Sequence, residues 1–188
     1  MSLTNSDMEN MAKDLRSKLS ISDEDPLDPF KISLSDVTIL FPSKVSEIPN
    51  KTLARLNEST SWSAMSVPLD KDQESWVILV NEANDIGRQR VSLLEEFWHI
   101  VQGHKLTEVV KVAGHFGRSF EENDEHDAYY LAAATLVPRQ SLVKKIKSKT
   151  PVEKIAGQYG VSKELVEYRI KRCGLWSEYR GKKISLSK

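Results

Sequence analysis

The sequence predicts an α+β chain: a small sheet beside one long, mostly apolar helix, followed by a C-terminal helix-turn-helix-like helical unit. Three observations carry this. Alternating or β-branched runs occupy residues 30–41, 61–67 and 75–81, the pattern of half-buried strands. Residues 85–103 hold the longest unbroken helical pattern. Two shorter helical patterns then meet at Gly160 near the basic end of the chain.

Taken in order, residues 1–29 read as a polar N-terminal arm with a short helix around residues 8–19, closed by an acidic stretch whose Pro26 and Pro29 break regular structure. In residues 30–41, Ile32, Leu34, Val37, Ile39 and Phe41 nearly alternate. The strands at 61–67 and 75–81 are joined by a polar turn through Asp70, Lys71 and Asp72. Residues 106–116 show little periodicity. Ser119, with Glu122 three residues on, then announces a helix that must stop before Pro138. Thr150-Pro151-Val152-Glu153 offers a second capping box. The domain boundaries that follow are 1–29 for the arm, 30–138 for the main domain, 139–175 for the helical unit and 176–188 for a basic tail.

Of the 188 residues 39% are hydrophobic and 29% charged, which excludes disordered, collagen-like and disulfide-stapled classes. Cys173 is alone, no run is long and apolar enough to span a membrane, and no signal-peptide core follows the polar start. A reducing, cytoplasmic setting is the expectation. The net charge of zero hides an asymmetry: residues 139–188 hold 14 Lys/Arg and 4 Asp/Glu, a net +10 against −10 before them. Such a basic end suits nucleic acid or an acidic protein surface, or it complements acidic segments of the same fold.

The informative helix covers residues 88–104. Val91, Leu93, Leu94, Phe97, Trp98, Ile100 and Val101 cover most of its circumference, so it is expected to be buried on most sides. Ser92, Glu95, Glu96, His99 and Gln102 form a narrow polar stripe, with Glu95 and His99 about 40° apart around the axis. A solvated face with an ordinary i,i+4 pair is the plain reading. The chemical reading is a metal-activated water, for which a helical His-Glu-x-x-His supplies two ligands one turn apart and a carboxylate base between them. Here the five residues are Glu95-Glu96-Phe97-Trp98-His99, with glutamate in the first place. By the same wheel His104 lies about 140° from His99 and reads as a helix-terminal histidine, while His115 and His126 read as surface residues.

Over roughly residues 31–175 the chain resembles the ImmA/IrrE family of metallo-endopeptidases. The resemblance is carried by Ile78-Leu79-Val80-Asn81, Arg88-Gln89-Arg90, Glu95 to His99, Gly103-His104, and Glu125-His126-Asp127-Ala128 running to Leu136-Val137-Pro138. It implies a zincin-like metallopeptidase domain, with Glu95, His99 and Glu125 in the metal-ligand places, Glu96 as general base, zinc as cofactor and extended substrate paired along a strand bordering the cleft. With Glu95 for histidine the set is more oxygen-rich, so a harder divalent cation, or no metal, stays open. The implied partner is a cytoplasmic transcriptional repressor, often encoded nearby, that is cleaved. The alternative is a catalytically degenerate peptidase fold that binds such a partner.

Residues 150–174 have helix-turn-helix spacing: Ala156 where helices cross, Gly160 in the turn, Val161 in the core, and Ser162 capping the second helix. Lys163 and Lys171 are the candidate contacts to nucleic acid or a partner. Glu164 and Glu167 beside them work against a phosphate-facing surface, so a structural or protein-docking role is the favoured reading.

Overall fold

The computed structural model describes residues 3–33, 36–46, 48–58, 62–69, 74–105, 108–112 and 115–181. In chain order the elements are α1 (Asn5–Lys18), β1 (Val37–Leu40), α2 (Asn50–Glu58), β2 (Ala64–Pro68), β3 (Trp76–Val80), α3 (Ile86–Gln102), β4 (Glu108–Val112), β5 (His115–Ser119), α4 (Glu122–Leu136), α5 (Arg139–Lys147), α6 (Val152–Tyr159), α7 (Lys163–Arg172) and α8 (Trp176–Tyr179). Two compact units emerge, one within Asp28–Ala132 and one combining Leu3–Leu27 with Ala133–Lys188.

In the first unit β3 lies at the centre of a three-stranded sheet, parallel to β1 and antiparallel to β2. Its run of Trp76 to Val80 is apolar at every position, and burial alternates along it, with Val77 and Leu79 only partly covered. Trp76, Ile78 and Val80 are the buried set. Helix α3 packs against β2 and β3, and Leu93 joins Ile78 and Val80 in a core rimmed by Phe30, Val37, Ile39, Phe41 and Ile100. Asn81 ends β3, donating from Nδ2 to the Trp62 carbonyl (3.1 Å) and accepting the Ala83 N–H at Oδ1 (3.0 Å). Asp85 then caps α3 by accepting the Arg88 N–H at 3.0 Å.

The architecture is α+β, as the sequence predicts, with local corrections. The first strand is confined to Val37–Leu40. Asp28 caps a 3₁₀ turn begun by Pro29, and the N–H groups of Lys31 and Ile32 are committed to the carbonyls of Asp28 and Pro29. Those donors cannot also join a ladder. Asp36, with φ of 68°, starts the strand afresh; Leu34 lies outside the described residues. The aperiodic stretch 106–116 contributes to an antiparallel hairpin of β4 and β5. Ser119 is the last residue of β5, opposite Glu108, and α4 begins at Glu122; the Ser119 side chain lies outside what the structure describes. Ser61, the turn through Asp70, Lys71 and Asp72, and tail residues 182–188 lie outside the described residues.

The second unit is helical. Residues 3–27, expected as an arm, belong to it, and Met8, Ala12 and Leu27 are buried. Arg16, 1% exposed, donates to the carbonyls of Thr135 (2.8 Å), Asp25 (2.5 Å) and Ser22. Arg169, fully buried, donates from Nη2 to both carboxylate oxygens of Glu9 at 2.8 and 3.0 Å and from Nε to the Val137 carbonyl. Glu24 accepts the Ser141 hydroxyl and pairs with Lys144 and Lys145. Part of the basic excess after residue 138 is thus met by acids from residues 3–27.

Gly160 closes α6 at φ 63° and Ser162 opens α7 by accepting the Leu165 N–H at 3.2 Å. Thr150 plays no capping part: Pro151 takes that place without a side-chain bond, and the Thr150 hydroxyl meets Ser148. Ser162→Ala is expected to lower stability by about 1 kcal/mol, read as a shift in urea midpoint at constant slope.

Candidate active site

Helix α3 carries the polar stripe into a half-buried setting within the first unit. The ladder phase of β2 and β3, fixed by Asn81 N–H to Ser63 carbonyl (2.9 Å) and Leu69 N–H to Ser75 carbonyl (2.8 Å), turns the Ser66 N–H away from β3. That N–H donates to Glu96 Oε2 at 2.8 Å. Glu96 therefore sits at the edge of β2 that faces away from β3. Burial raises its pKa, opposed by the Ser66 hydrogen bond and His99.

His99, 2% exposed, is held on three sides. Its ring stacks on Phe120 at 3.6 Å between centroids and 10° between planes. Its Nδ1 lies 2.9 Å from His104 Nδ1, and its Nε2 lies 3.8 Å from Glu125 Oε2. The last separation is longer than a hydrogen bond. The His99 imidazole nonetheless holds the Glu125 carboxyl below its ordinary value, against burial and with help from the Phe120 backbone N–H.

Glu95 is pushed up to about 8, first by burial and then by the charges of Glu125 and Glu96, with Arg88 opposing. Arg88 itself donates from Nε to the Ser63 hydroxyl at 2.8 Å. Glu95 and Glu96 thus have their charge disfavoured by burial and by neighbouring carboxylates, whereas the His99 imidazole favours the charge of Glu96 and Glu125. That donor chemistry, nitrogen with several oxygens, suits a divalent cation, and the repulsion at Glu95 is what a cation relieves. His99 and Glu125 stand together as two donors. Among the described residues, no group of three or more His, Cys, Asp or Glu side chains is gathered closely enough to hold an ion.

His104 departs from the sequence reading. A helical wheel stops applying at Gly103, which adopts φ 64° and reverses the chain. The His104 N–H then bonds the His99 carbonyl at 3.0 Å, and its ring folds back onto His99. Its Nε2 lies 3.7 Å from Asp124 Oδ1. Burial lowers its pKa, with Asp124 opposing. A cavity of about 280 Å³ lined by Gly103, His104, Lys105, Glu121 and Asp124 opens beside it. The glycine directly after the helical pattern was the signal for this reversal. Ser66 and Phe120 had no such signal, since each meets α3 from a distant stretch of sequence.

His126 is partly exposed, with Nδ1 3.2 Å from Asp127; the His115 side chain lies outside the described residues. Lys163 and Lys171 belong to the second unit, the first paired with Glu153 at 3.3 Å and the second 4.7 Å over the Trp176 ring. Among the described residues, no helix is long and apolar enough to cross a membrane.

Comparison with curated proteins and with solved structures finds no significant match. The peptidase M78 family, described as the IrrE N-terminal-like domain, matches residues 56–171. This stretch is more than half of the chain and contains β2, β3, the whole of α3 and Glu125. A metallopeptidase-like fold explains why an apolar helix carries Glu95, Glu96 and His99 beside an edge strand, and on that match the chain belongs to the M78 peptidase family through its IrrE N-terminal-like domain.

Proposed function

We propose that this protein is a metal-dependent endopeptidase that cuts a cytoplasmic protein partner, a transcriptional repressor in the pattern of its family. The observation that supports this best is the pairing of His99 Nε2 with Glu125 at 3.8 Å, one helical turn from a buried Glu96 tied to the edge of β2. His99, Glu125 and Glu95 would hold the cation, zinc or a harder divalent ion. When bound, the ion supplies Lewis-acid polarisation and an acidified water. Glu96 takes up the proton as general base, which its raised pKa favours. The outward-facing backbone of β2 aligns an extended substrate strand, and burial around His99 keeps bulk water from the site.

A second reading, a peptidase fold that binds its partner without cutting it, draws support from two features. The Glu96 carboxylate already accepts an edge N–H of β2, and three ligands are not gathered among the described residues. Nucleic-acid contact through Lys163 and Lys171 is the least supported, since one is ion-paired and the other lies over Trp176.

Elemental analysis of protein purified without chelator separates the two main readings. The endopeptidase reading expects about one divalent ion per chain, none in His99→Ala, and a melting temperature raised by added zinc, because a ligand at about 100 times its Kd contributes about 2.7 kcal/mol. Metal-free protein whose melting temperature ignores zinc leaves the binding module.

A further inference from the structure

We propose that Arg88 is a specificity-determining residue whose guanidinium takes an acidic side chain of the substrate strand laid along β2, so that the segment cut carries Asp or Glu on the C-terminal side of the bond that breaks. This rests on the endopeptidase reading for the cutting step, while its geometry stands apart from any metal.

The outward backbone of β2 is unevenly available to a guest strand. The ladder phase that turns Ser66 away from β3 turns Ala64 and Pro68 outward as well. Pro68 has no N–H to offer, and the Ser66 N–H already donates to Glu96 at 2.8 Å. Within β2, Ala64 is thus the residue that presents both an N–H and a carbonyl to a guest. One residue of an antiparallel guest exchanges both bonds with it, whereas a parallel guest would divide them between two residues. An antiparallel guest that passes Ser66 and then Ala64 runs with its C-terminal side toward Ser63.

Ser63 is where Arg88 is anchored. Its hydroxyl accepts from Arg88 Nε at 2.8 Å, which holds the guanidinium in place and leaves both Nη groups as donors. Arg88 is exposed and, among the described residues, enters no salt bridge. Asp85, one turn earlier, has its Oδ1 committed to the Arg88 backbone N–H. The paired Nη groups match the two oxygens of a carboxylate. Nearer His99 the cleft is hostile to such a group, because Glu95, Glu96 and Glu125 repel it. Arg88 opposes that charge at Glu95. An acid on the guest is therefore accepted beside Ser63 and rejected closer to Glu96, which sets the register of the strand. Ser63 to Ser66 spans about 10 Å of strand, so the acid falls within about three residues of the bond cut.

The test gives the full chain, with added zinc, a proteome-derived peptide library and reads the new N-termini by mass spectrometry. Wild type is expected to enrich Asp and Glu about 5–10-fold over Asn and Gln within about three residues after the cut, and to lose much of that preference in about 1 M salt. Arg88→Met is expected to erase the preference, Arg88→Glu to exchange it for Lys and Arg, and Arg88→Lys to keep part of it. Between a Glu peptide and its Gln counterpart, KM should differ and kcat hardly. Ser63→Ala, which loosens the guanidinium, should weaken the preference and serves if the Arg88 variants do not fold. A positional library of short amidated peptides, captured on the full chain with chelator present, reads the same preference without cutting. Acidic preference in capture with no cutting sinks the endopeptidase reading and keeps the role of Arg88. A preference that needs a free C-terminus assigns Arg88 to the chain end and overturns the side-chain assignment. Cutting or capture without acidic preference, a preference unmoved in Arg88→Glu, or neither capture nor cutting, overturns the proposal.

Discussion

Glu96→Gln is expected to lower endopeptidase cleavage of a protein substrate by about 10²–10⁴-fold, scored as fragments by mass spectrometry. Bound metal and melting temperature should hardly move. The amide oxygen of glutamine still accepts the Ser66 N–H that now bonds Glu96 at 2.8 Å, so the junction between α3 and β2 survives. What disappears is the ability to take a proton. Because Glu96 is buried, its proton affinity is raised, which suits a base better than an exposed glutamate and makes the lost step larger. Equal cleavage by wild type and variant would remove Glu96 from the chemistry. No cleavage by either, with metal bound in both, would point to a different substrate.

The elements legible in the sequence were those whose signal is local. The N-terminus of α3 shows in Asp85 and its C-terminus in Gly103, and both ends fall there in the structure. The apolar run of β3 and the Gly160-Val161-Ser162 junction are equally self-contained. Where the reading failed, a competing local bond had won. Ile32 looked like strand by alternation, yet Pro29 and Asp28 wind the backbone into a turn first. Residues 106–116 looked aperiodic, yet Glu108–Val112 pairs with His115–Ser119 across a hairpin. The hairpin is stabilised between strands, so periodicity within one strand reports it poorly.

The candidate site divides in the same way. Glu95, Glu96 and His99 share a helix, and their spacing alone puts them on one face. Glu125 came from the family pattern, and the structure brings its carboxylate to His99. His104 lies away from the position a helical wheel gives it because the helix ends at the left-handed Gly103. The charge asymmetry misled in a different respect. Glu24 pairs with Lys144 and Lys145, and Glu9 with Arg169, so acids far away in sequence meet part of the basic end, and only the fold shows which.

Glu95→Gln should stabilise the metal-free protein, and the gain should grow with pH. In the unfolded chain Glu95 titrates near 4.5, and in the folded protein near 8. Below about pH 4 both states hold the proton and the substitution is nearly neutral. Between these values the unfolded chain ionises freely, whereas the folded protein either keeps the proton or buries a charge beside Glu125 and Glu96. Wild-type stability therefore falls as pH rises through this window and levels off above about 8. Glutamine has no proton to lose, so the variant should be on the order of 2–4 kcal/mol more stable than wild type at pH 8, measured by urea denaturation with chelator present. Glu125, held below its ordinary value by His99, acts with the opposite sign and at lower pH, and His104, lowered from 6.5 by burial, also acts with the opposite sign as pH rises toward 6.5, which leaves the window above about pH 6.5 to Glu95 and to Glu96, whose shift has the same sign. Added zinc should reverse the order if Glu95 is a ligand, since its charge then meets a cation and the glutamine variant loses that stabilisation. A variant no more stable than wild type at pH 8 would mean that Glu95 reaches water or a counter-charge, and a variant that keeps its advantage in zinc-loaded protein would place Glu95 outside the metal's coordination.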